Sequence, residues 1–255
     1  MSTVTANGVA THVQELGAGS PVVMAHGLLI GSLASWYFTA APELAREHRV
    51  RLYDLRGHGR SARPSTGYGT RVLAEDLAAL TADLPAFDLV GHSWGGLVAL
   101  RFAIAHPSRV RRLAIVEAPV PPSSALEMAS FLGAGDASIA SPETLLNALP
   151  DALRAAVASG RRQAERLVQT VVALARDTSL LADVRSEPAP DPAELAALRV
   201  PTLLAYGDRS SCLAGGRELA AAIPGARLAI LSGGHYLHLD ARAELAQLLA
   251  EHVRG

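Results

Sequence analysis

Ser93 has the sequence surroundings of a nucleophile. Residues 91–96 read Gly-His-Ser-Trp-Gly-Gly; the apolar residues 87–90 before them predict a strand, and residues 97–103 after them predict a helix. Strand, G-x-S-x-G and helix in this order are typical of a nucleophile elbow, a strained turn that raises the serine hydroxyl above the sheet. The glycines at 91 and 95 are needed because the strand and helix backbones approach too closely there for side chains. The sequence therefore predicts covalent chemistry at Ser93.

A serine hydroxyl needs a base to remove its proton, and a histidine oriented by a carboxylate performs that step. In a doubly wound sheet such groups lie beyond the carboxyl ends of the strands. Asp208 follows the predicted strand 202–206, and His235 follows the predicted strand 226–231. Serine, acid and histidine also occur in the order that accompanies this elbow. We predict Ser93, Asp208 and His235 as catalytic residues.

Glu117 is an alternative acid. It lies just past the predicted strand 113–116, which places it at the same edge of the sheet. Taken singly, Asp208 is also typical of a turn and His235 of a surface loop. Their joint placement with Ser93 favours a catalytic arrangement with Asp208 as the acid, and Glu117 is kept as the alternative.

Acyl transfer also requires hydrogen-bond donors for the oxyanion that develops on the substrate. One predicted donor is the backbone N–H of Trp94, the residue after the nucleophile. The second should come from the loop after the strand 22–25, where His26-Gly27 is followed by two leucines. Leu28 is the predicted donor because it directly follows the His-Gly turn, and Leu29 is the alternative. Leu29 is also a candidate residue of the pocket.

The elements that must position these residues alternate along the chain. Apolar and alternating patterns predict strands, and 3.6-residue periodicity predicts helices between them. The predicted strands are 9–16 (an edge strand), 21–25, 50–53, 87–90, 113–116, 202–206 and 226–231. The predicted helices are 33–47, 72–84, 97–103, 217–223 and 241–253. This alternation predicts an α/β fold with a doubly wound, mostly parallel sheet that helices cover on both faces.

The alternation stops at residue 119 and resumes near residue 199. Helical segments but no convincing strand lie between, and prolines flank the stretch. We predict a core of residues 1–118 and 199–255, with residues 119–198 inserted as a helical cap.

Composition excludes several classes of function. The 255 residues carry a net charge of −1, which offers no electrostatic basis for binding nucleic acid or an anionic membrane. The single cysteine, Cys212, excludes an internal disulfide framework and is interpreted as an ordinary small residue. The N-terminal residues 1–8 lack the features of a signal peptide, and no run has the length of a membrane span. A cytoplasmic protein is expected, and its oligomeric state is not indicated.

With these motifs the chain resembles the α/β-hydrolase superfamily, in the branch that has a His-Gly oxyanion loop and a helical cap. The matching pieces are His26-Gly27, residues 54–61 (Asp-Leu-Arg-Gly-His-Gly-Arg-Ser), the elbow, Gly207-Asp208 and Gly234-His235. The resemblance implies a Ser93–His235–Asp208 triad. The cap, which normally selects the substrate, matches no pattern.

The resemblance also limits the chemistry. Serine at 93 disfavours epoxide hydrolases and haloalkane dehalogenases, which need a carboxylate there, and proline iminopeptidases carry His-Gly-Gly-Pro where this chain has Leu28 and Leu29. We predict a serine hydrolase for a small or medium, largely apolar carboxylic ester or thioester. Alternatives are a biosynthetic thioesterase, cyclase, lactonase or C–C bond hydrolase of the same fold, and a non-catalytic ligand-binding member.

No cofactor and no metal are expected, and a small acyl compound is the expected partner. His238 lies three residues after His235, a spacing that suits metal ligands on a helix, but no second ligand cluster accompanies it.

Aromatic residues near the site are candidates for the pocket. Trp36, Tyr37 and Phe38 form a cluster that is usually core but from which one ring could line the acyl pocket. We name Trp36 and Tyr236, with Leu29, as pocket candidates.

Other polar residues near the site have a structural interpretation. Asp54, Arg56 and His58 are predicted to form a buried hydrogen-bonded network. His26 and His92 are each predicted to fix their own loop.

Overall fold

The computed structural model describes residues 2–121 and 151–255. The described strands form one eight-stranded sheet in the order β1-β2-β4-β3-β5-β6-β7-β8. Their bounds are β1 Ser2–Ala6, β2 Val9–Leu16, β3 Ser20–Ala25, β4 His48–Tyr53, β5 Phe87–His92, β6 Val110–Val116, β7 Thr202–Gly207 and β8 Arg227–Leu231. Strands β1 and β2 pair antiparallel, as do β2 and β4, and every other pairing is parallel. The predicted mostly parallel α/β fold is confirmed.

Helices connect the parallel strands and cover the sheet. Those of the described residues are Ala34–Tyr37, Ala41–Leu44, Thr70–Leu80, Trp94–Ala105, Asp151–Ala158, Arg162–Asp177, Leu180–Arg185, Pro192–Ala197, Leu213–Ala222, Leu237–Asp240 and Arg242–Arg254, with a 3-10 turn at Pro107–Arg109. Alternate residues of each central strand face opposite sides. Val23 and Leu89 belong to one apolar cluster, whereas Val22 and Val90 belong to the other. The sheet is therefore buried on both faces, which explains the continuous apolar runs of its strands.

The N-terminal strand was not predicted, and strand 9–16 is not an edge strand. β1 covers β2, and the two-residue connection Asn7-Gly8 has φ values of 47° and 75°. An Asn-Gly pair with positive φ at both positions is the preferred turn of a tight hairpin because it matches the twist of the flanking strands. The Asn-Gly pair was the available signal, and it was overlooked.

The helix predicted over residues 33–47 is two short helices, Ala34–Tyr37 and Ala41–Leu44. Pro42 lies in the first turn of the second helix. Proline lacks an N–H group, and its ring clashes with the carbonyl four residues earlier, so one helix cannot run through this position.

Helices between residues 151 and 197 pack beside the core, and no strand occurs in that part of the described chain. Ser179 donates its N–H to the carbonyl of Ser65 (2.8 Å), and the Asp183 carboxylate accepts the N–H of Tyr68 (2.7 Å). These bonds anchor the helices to the loop that follows β4. The proposed boundaries of a cap at 119 and 198 stay a prediction, and residues 122–150 lie outside the described chain.

Candidate active site

Ser93 sits in strained backbone between β5 and the helix Trp94–Ala105. Its φ and ψ are 54° and −124°, a conformation that non-glycine residues rarely adopt. The surrounding backbone holds it there, because Ser93 donates its N–H to the carbonyl of Val116 (2.8 Å) and accepts the N–H of Gly96 (2.8 Å). The geometry is that of the predicted elbow.

The glycines of the elbow have the role expected of them. A Cβ on Gly91 would lie 2.2 Å from the carbonyl oxygen of Gly95, and one on Gly95 would lie 2.4 Å from the carbonyl oxygen of His26. Both distances are far below van der Waals contact with backbone atoms that cannot move aside. The motif is thus a direct consequence of how closely the strand and helix approach.

His235 lies in the loop after β8 and faces the serine. Its Nε2 is 3.0 Å from the Ser93 Oγ. His92 fixes this loop, because its Nε2 donates to the carbonyl oxygen of His235 at 2.9 Å. Burial lowers the pKa of His92 well below its usual value, so the ring is neutral and suited to a structural hydrogen bond. His92 therefore holds the loop of His235, where the sequence predicted that it would hold its own.

The carboxylate that the structure places beside His235 is Glu117, the alternative acid, and not the predicted Asp208. The Glu117 Oε2 lies 3.6 Å from the His235 Nδ1, on the side of the ring opposite Ser93. Asp208 is 48% exposed, accepts the N–H of Gly233 (2.9 Å) and pairs with Arg209 (3.1 Å). Among the described residues no ion pair joins Asp208 to His235. Asp208 thus stabilises a turn, which was the alternative interpretation of this residue.

Glu117 is held rigidly for this position. Its side chain is fully buried, and its backbone has a positive φ of 57°. Its carboxylate accepts the backbone N–H of Gly207 and the hydroxyl of Ser210. The loop after β7 that was predicted to supply the acid instead supplies donors that hold the acid from β6. Ser210 was not predicted as a site residue, although its position as a polar residue in a loop at a strand end was a usable signal.

Gly27 and Leu28 follow β3 and lie against the elbow. A Cβ on Gly27 would be 2.9 Å from the Cβ of Ser93, so only glycine fits between the two segments. Within the described chain the N–H groups of Leu28 and Trp94 have no protein acceptor, whereas the N–H of Leu29 donates to His58 Nε2 at 2.8 Å. The two predicted oxyanion donors are therefore the ones that stay available to a substrate.

Two buried histidines, His26 and His58, hold the loop after β3 by hydrogen bonds. His26 accepts the N–H of Leu55 through Nε2 (3.0 Å) and donates from Nδ1 to the carbonyl of Gly27 (2.7 Å). His58 accepts the N–H of Leu29, which has a positive φ of 68°, and donates from Nδ1 to Arg56 (2.9 Å). Burial is the main cause that lowers the pKa of both rings, that of His58 to about 3.

The polar segment that contains His58 is the predicted structural network. The carboxylate of Asp54 accepts the N–H of Leu33 (2.8 Å) and of Arg60 (3.0 Å) and pairs with His12 (2.8 Å). The guanidinium of Arg56 pairs with the buried Asp76 at 2.5 Å. These bonds fix the loops on which the site rests.

We expect the fold to lose stability between pH 6.5 and 5 because His58 must stay neutral. The folded pKa of His58 is about 3 and the reference value 6.5, so below pH 6.5 the unfolded chain binds the extra proton. Stability therefore falls with pH in this window, by about 2 kcal/mol at pH 5 for this ring alone. Urea unfolding at pH 7 and pH 5 measures the loss. His58→Gln keeps an acceptor for Leu29 and should show a smaller loss, and an equal loss in both proteins would exclude His58 as the cause.

A cavity of about 520 Å³ opens in front of Ser93. Its described lining is mostly apolar and includes no Arg, Asp or Glu. Leu29 and Tyr236 line it as predicted, and so does Phe38, whereas Trp36 does not. Trp36 is fully buried and donates its indole N–H to the carbonyl of Ala25 (2.9 Å), so it belongs to the core.

Comparisons with known proteins agree with this architecture. Residues 20–141 match the family model of the alpha/beta hydrolase fold. A segment of 120 residues is 42% identical to a 2-hydroxy-6-oxo-2,4-heptadienoate hydrolase of Pseudomonas putida, covering 45% of this chain and 43% of that protein. The match therefore spans less than half of that relative's length.

Solved structures match over the whole chain. The enol-lactonase of Burkholderia xenovorans superposes with a TM-score of 0.79 at 21% identity, covering 100% of each chain. An N-acyl homoserine lactone degrading enzyme superposes with a TM-score of 0.75 at 26% identity, covering 99% of this chain and 100% of the other. The chain therefore has the α/β-hydrolase fold. No helix among the described residues has the length and apolar character needed to span a membrane.

Proposed function

We propose that the protein is a serine hydrolase that cleaves an uncharged, largely apolar ester or thioester through an acyl-enzyme on Ser93. The observation that carries this proposal is the 3.0 Å approach of His235 Nε2 to the Oγ of Ser93 in a strained elbow at the cavity. A nucleophile with a base within hydrogen-bond reach is the basic requirement for acyl transfer.

In this mechanism Ser93 Oγ attacks the substrate carbonyl while its proton passes to His235 Nε2. The ring becomes an imidazolium, and Glu117 stabilises that charge from the Nδ1 side. The N–H groups of Leu28 and Trp94 bind the oxyanion, where each donor contributes about 3–4 kcal/mol to lowering the barrier. His235 then returns the proton to the leaving alcohol or thiol. Water, deprotonated by the same ring, releases the acid and restores Ser93.

The lining of the cavity supports an uncharged substrate. A buried carboxylate needs a cation or several donors as partners. The described lining contains no arginine, and residues 122–150 contain no Arg, Lys or His that could add one. The other polar side chains of the lining are the hydroxyl groups of Ser35, Thr39, Ser211 and Tyr236, the thiol of Cys212 and two histidines. Burial lowers the pKa of both histidines, that of His238 to about 4, so these rings stay neutral.

A C–C bond hydrolase or lactonase is the second candidate, favoured by the similarity to the Pseudomonas putida hydrolase and to the two lactone-cleaving enzymes. The same serine and histidine serve those reactions. A heptadienoate carries a carboxylate, for which the described lining offers no cation, whereas a lactone is uncharged. Among these alternatives the cavity favours the lactone.

Labelling and a substrate panel test the proposal together. A fluorophosphonate probe should label the wild type and fail to label Ser93→Ala. The panel contains p-nitrophenyl butyrate, mono-p-nitrophenyl succinate, a butyryl thioester, a γ-lactone and a dienoate. We expect p-nitrophenyl butyrate to be hydrolysed at least about tenfold faster than mono-p-nitrophenyl succinate. The two esters differ mainly by the carboxylate of the succinate, and an unpaired buried charge costs several kcal/mol. Absence of labelling would favour a ligand-binding protein, and a preference for the dienoate would favour the C–C hydrolase.

A further inference from the structure

Three atoms of kinds that ligate metals converge behind the His235 ring. Cys212 Sγ and Glu117 Oε2 each lie 3.6 Å from His235 Nδ1, and all three atoms lie within 4.8 Å of one another. They come from the end of β6, from the residue before the helix Leu213–Ala222, and from the loop after β8. Cys212 was predicted to be an ordinary small residue, because nothing in the linear order of the sequence brings these three residues together.

The two distances to His235 Nδ1 are close to the ligand separations in a tetrahedral ion. Zinc binds sulfur at about 2.3 Å, imidazole nitrogen at about 2.0–2.1 Å and carboxylate oxygen at about 2.0–2.2 Å. Two such ligands of one tetrahedral ion are therefore roughly 3.3–3.6 Å apart. Both distances to Nδ1 are 3.6 Å, at the upper end of this range, and the three atoms lie within 4.8 Å of one another, so a small movement of the Cys212 or Glu117 side chain completes the site. A mixed sulfur, nitrogen and oxygen donor set suits zinc or Co²⁺ and does not suit Mg²⁺ or Ca²⁺.

The site is also accessible. Cys212 and His235 both line the cavity, so an ion can arrive from solvent and keep a water molecule as its fourth ligand. Glu117, fully buried, closes the opposite side and supplies negative charge.

We propose that Glu117, Cys212 and His235 form an inhibitory site for a zinc-like divalent cation. The inhibition, though not the binding, rests on the proposed hydrolase function. Binding uses the lone pair of Nδ1, so the ring proton shifts to Nε2, and the thiol releases its proton to solvent. A ring protonated at Nε2 cannot accept the proton of Ser93. The ion would thus stop the reaction without touching the serine.

Direct binding is the first test. The full-length wild type, stripped with a chelator, is titrated with Zn²⁺ by calorimetry beside Cys212→Ser, Cys212→Ala and the control His106→Ala, which removes an exposed histidine elsewhere. We expect one ion per wild-type and control chain, and at least about 100-fold weaker binding in both Cys212 variants, because even the loss of an outer partner costs about 10–100-fold. Circular dichroism confirms that the variants are folded. Equal affinity in all four proteins, or no binding to the wild type, would overturn the site.

Cobalt and activity supply independent readouts. Co²⁺ should produce a thiolate-to-metal absorption band in the wild type that both Cys212 variants lack. Zn²⁺ should inhibit hydrolysis, and the concentration that halves the rate should equal the midpoint of the binding curve. Each variant is compared with its own metal-free rate. A chelator should restore the activity. Binding with an inactive enzyme would retain the site and reject the hydrolase, whereas an active enzyme without binding would do the reverse.

Discussion

Replacement of Ser93 by alanine is expected to lower ester turnover by about 10⁴- to 10⁶-fold with little effect on stability. The hydroxyl oxygen of Ser93 is the atom that would become acylated, and alanine removes it. Alanine keeps the Cβ that packs closely against Gly27, so the fold should be little affected. Turnover of p-nitrophenyl butyrate and urea unfolding measure the two quantities.

Replacement of His235 should lower turnover by a similar factor, and its effect should not add to that of Ser93→Ala. His235→Ala removes the base at 3.0 Å, and the double variant with Ser93→Ala should be no more than about threefold slower than either single one, because the pair acts as a unit. Ser211→Ala, which alters another serine of the same cavity, serves as the control and should change turnover by less than about tenfold. Comparable losses in Ser211→Ala and Ser93→Ala would show that the assay follows cavity shape, and a wild-type rate in Ser93→Ala would reject the acyl-enzyme.

Glu117→Gln is expected to lower turnover by about 10³- to 10⁴-fold, whereas Asp208→Asn should cost less than tenfold. The glutamate lies on the Nδ1 side of His235 and would stabilise the imidazolium that forms during the reaction. Glutamine keeps the size of the side chain and an acceptor for Gly207, but it carries no charge and presents an amide group. Asparagine at 208 retains the oxygen that accepts the N–H of Gly233.

The two variants form a matched pair, since each replaces one strand-end carboxylate by its amide. Thermal unfolding separates a catalytic loss from a folding defect, which matters because Glu117 is buried. Ser210→Ala removes one donor to Glu117 and should have a smaller effect, about tenfold, by loosening its carboxylate. A severe loss in Asp208→Asn together with a mild one in Glu117→Gln would return the acid to the β7 loop.

Local patterns carried most of the fold. The parallel strands were predictable because a strand buried on both faces must be apolar throughout. The elbow was predictable because a Cβ on either of its glycines would lie only 2.2 or 2.4 Å from a backbone oxygen, so both positions require glycine. The errors came from competing local signals. Pro42 divided a helix that periodicity extended from 33 to 47, and the Asn7-Gly8 turn built an extra strand. Trp36 was predicted to line the pocket, but its indole N–H donates to the carbonyl of Ala25 in the core.

By itself the sequence determined the α/β fold, Ser93 as the candidate nucleophile, His235 as the candidate base and the loop that offers Leu28. Those assignments depend on short contiguous motifs whose geometry is local. Tertiary structure alone decided which carboxylate meets His235. Parallel strands deliver several acidic residues to one edge, and sequence order does not say which turns inward. The positive φ of Glu117 and the donors from Gly207 and Ser210 turn this carboxylate toward the ring, while Asp208 stays in solvent. The same convergence brought Cys212 to the histidine, a contact between distant segments that no motif encodes.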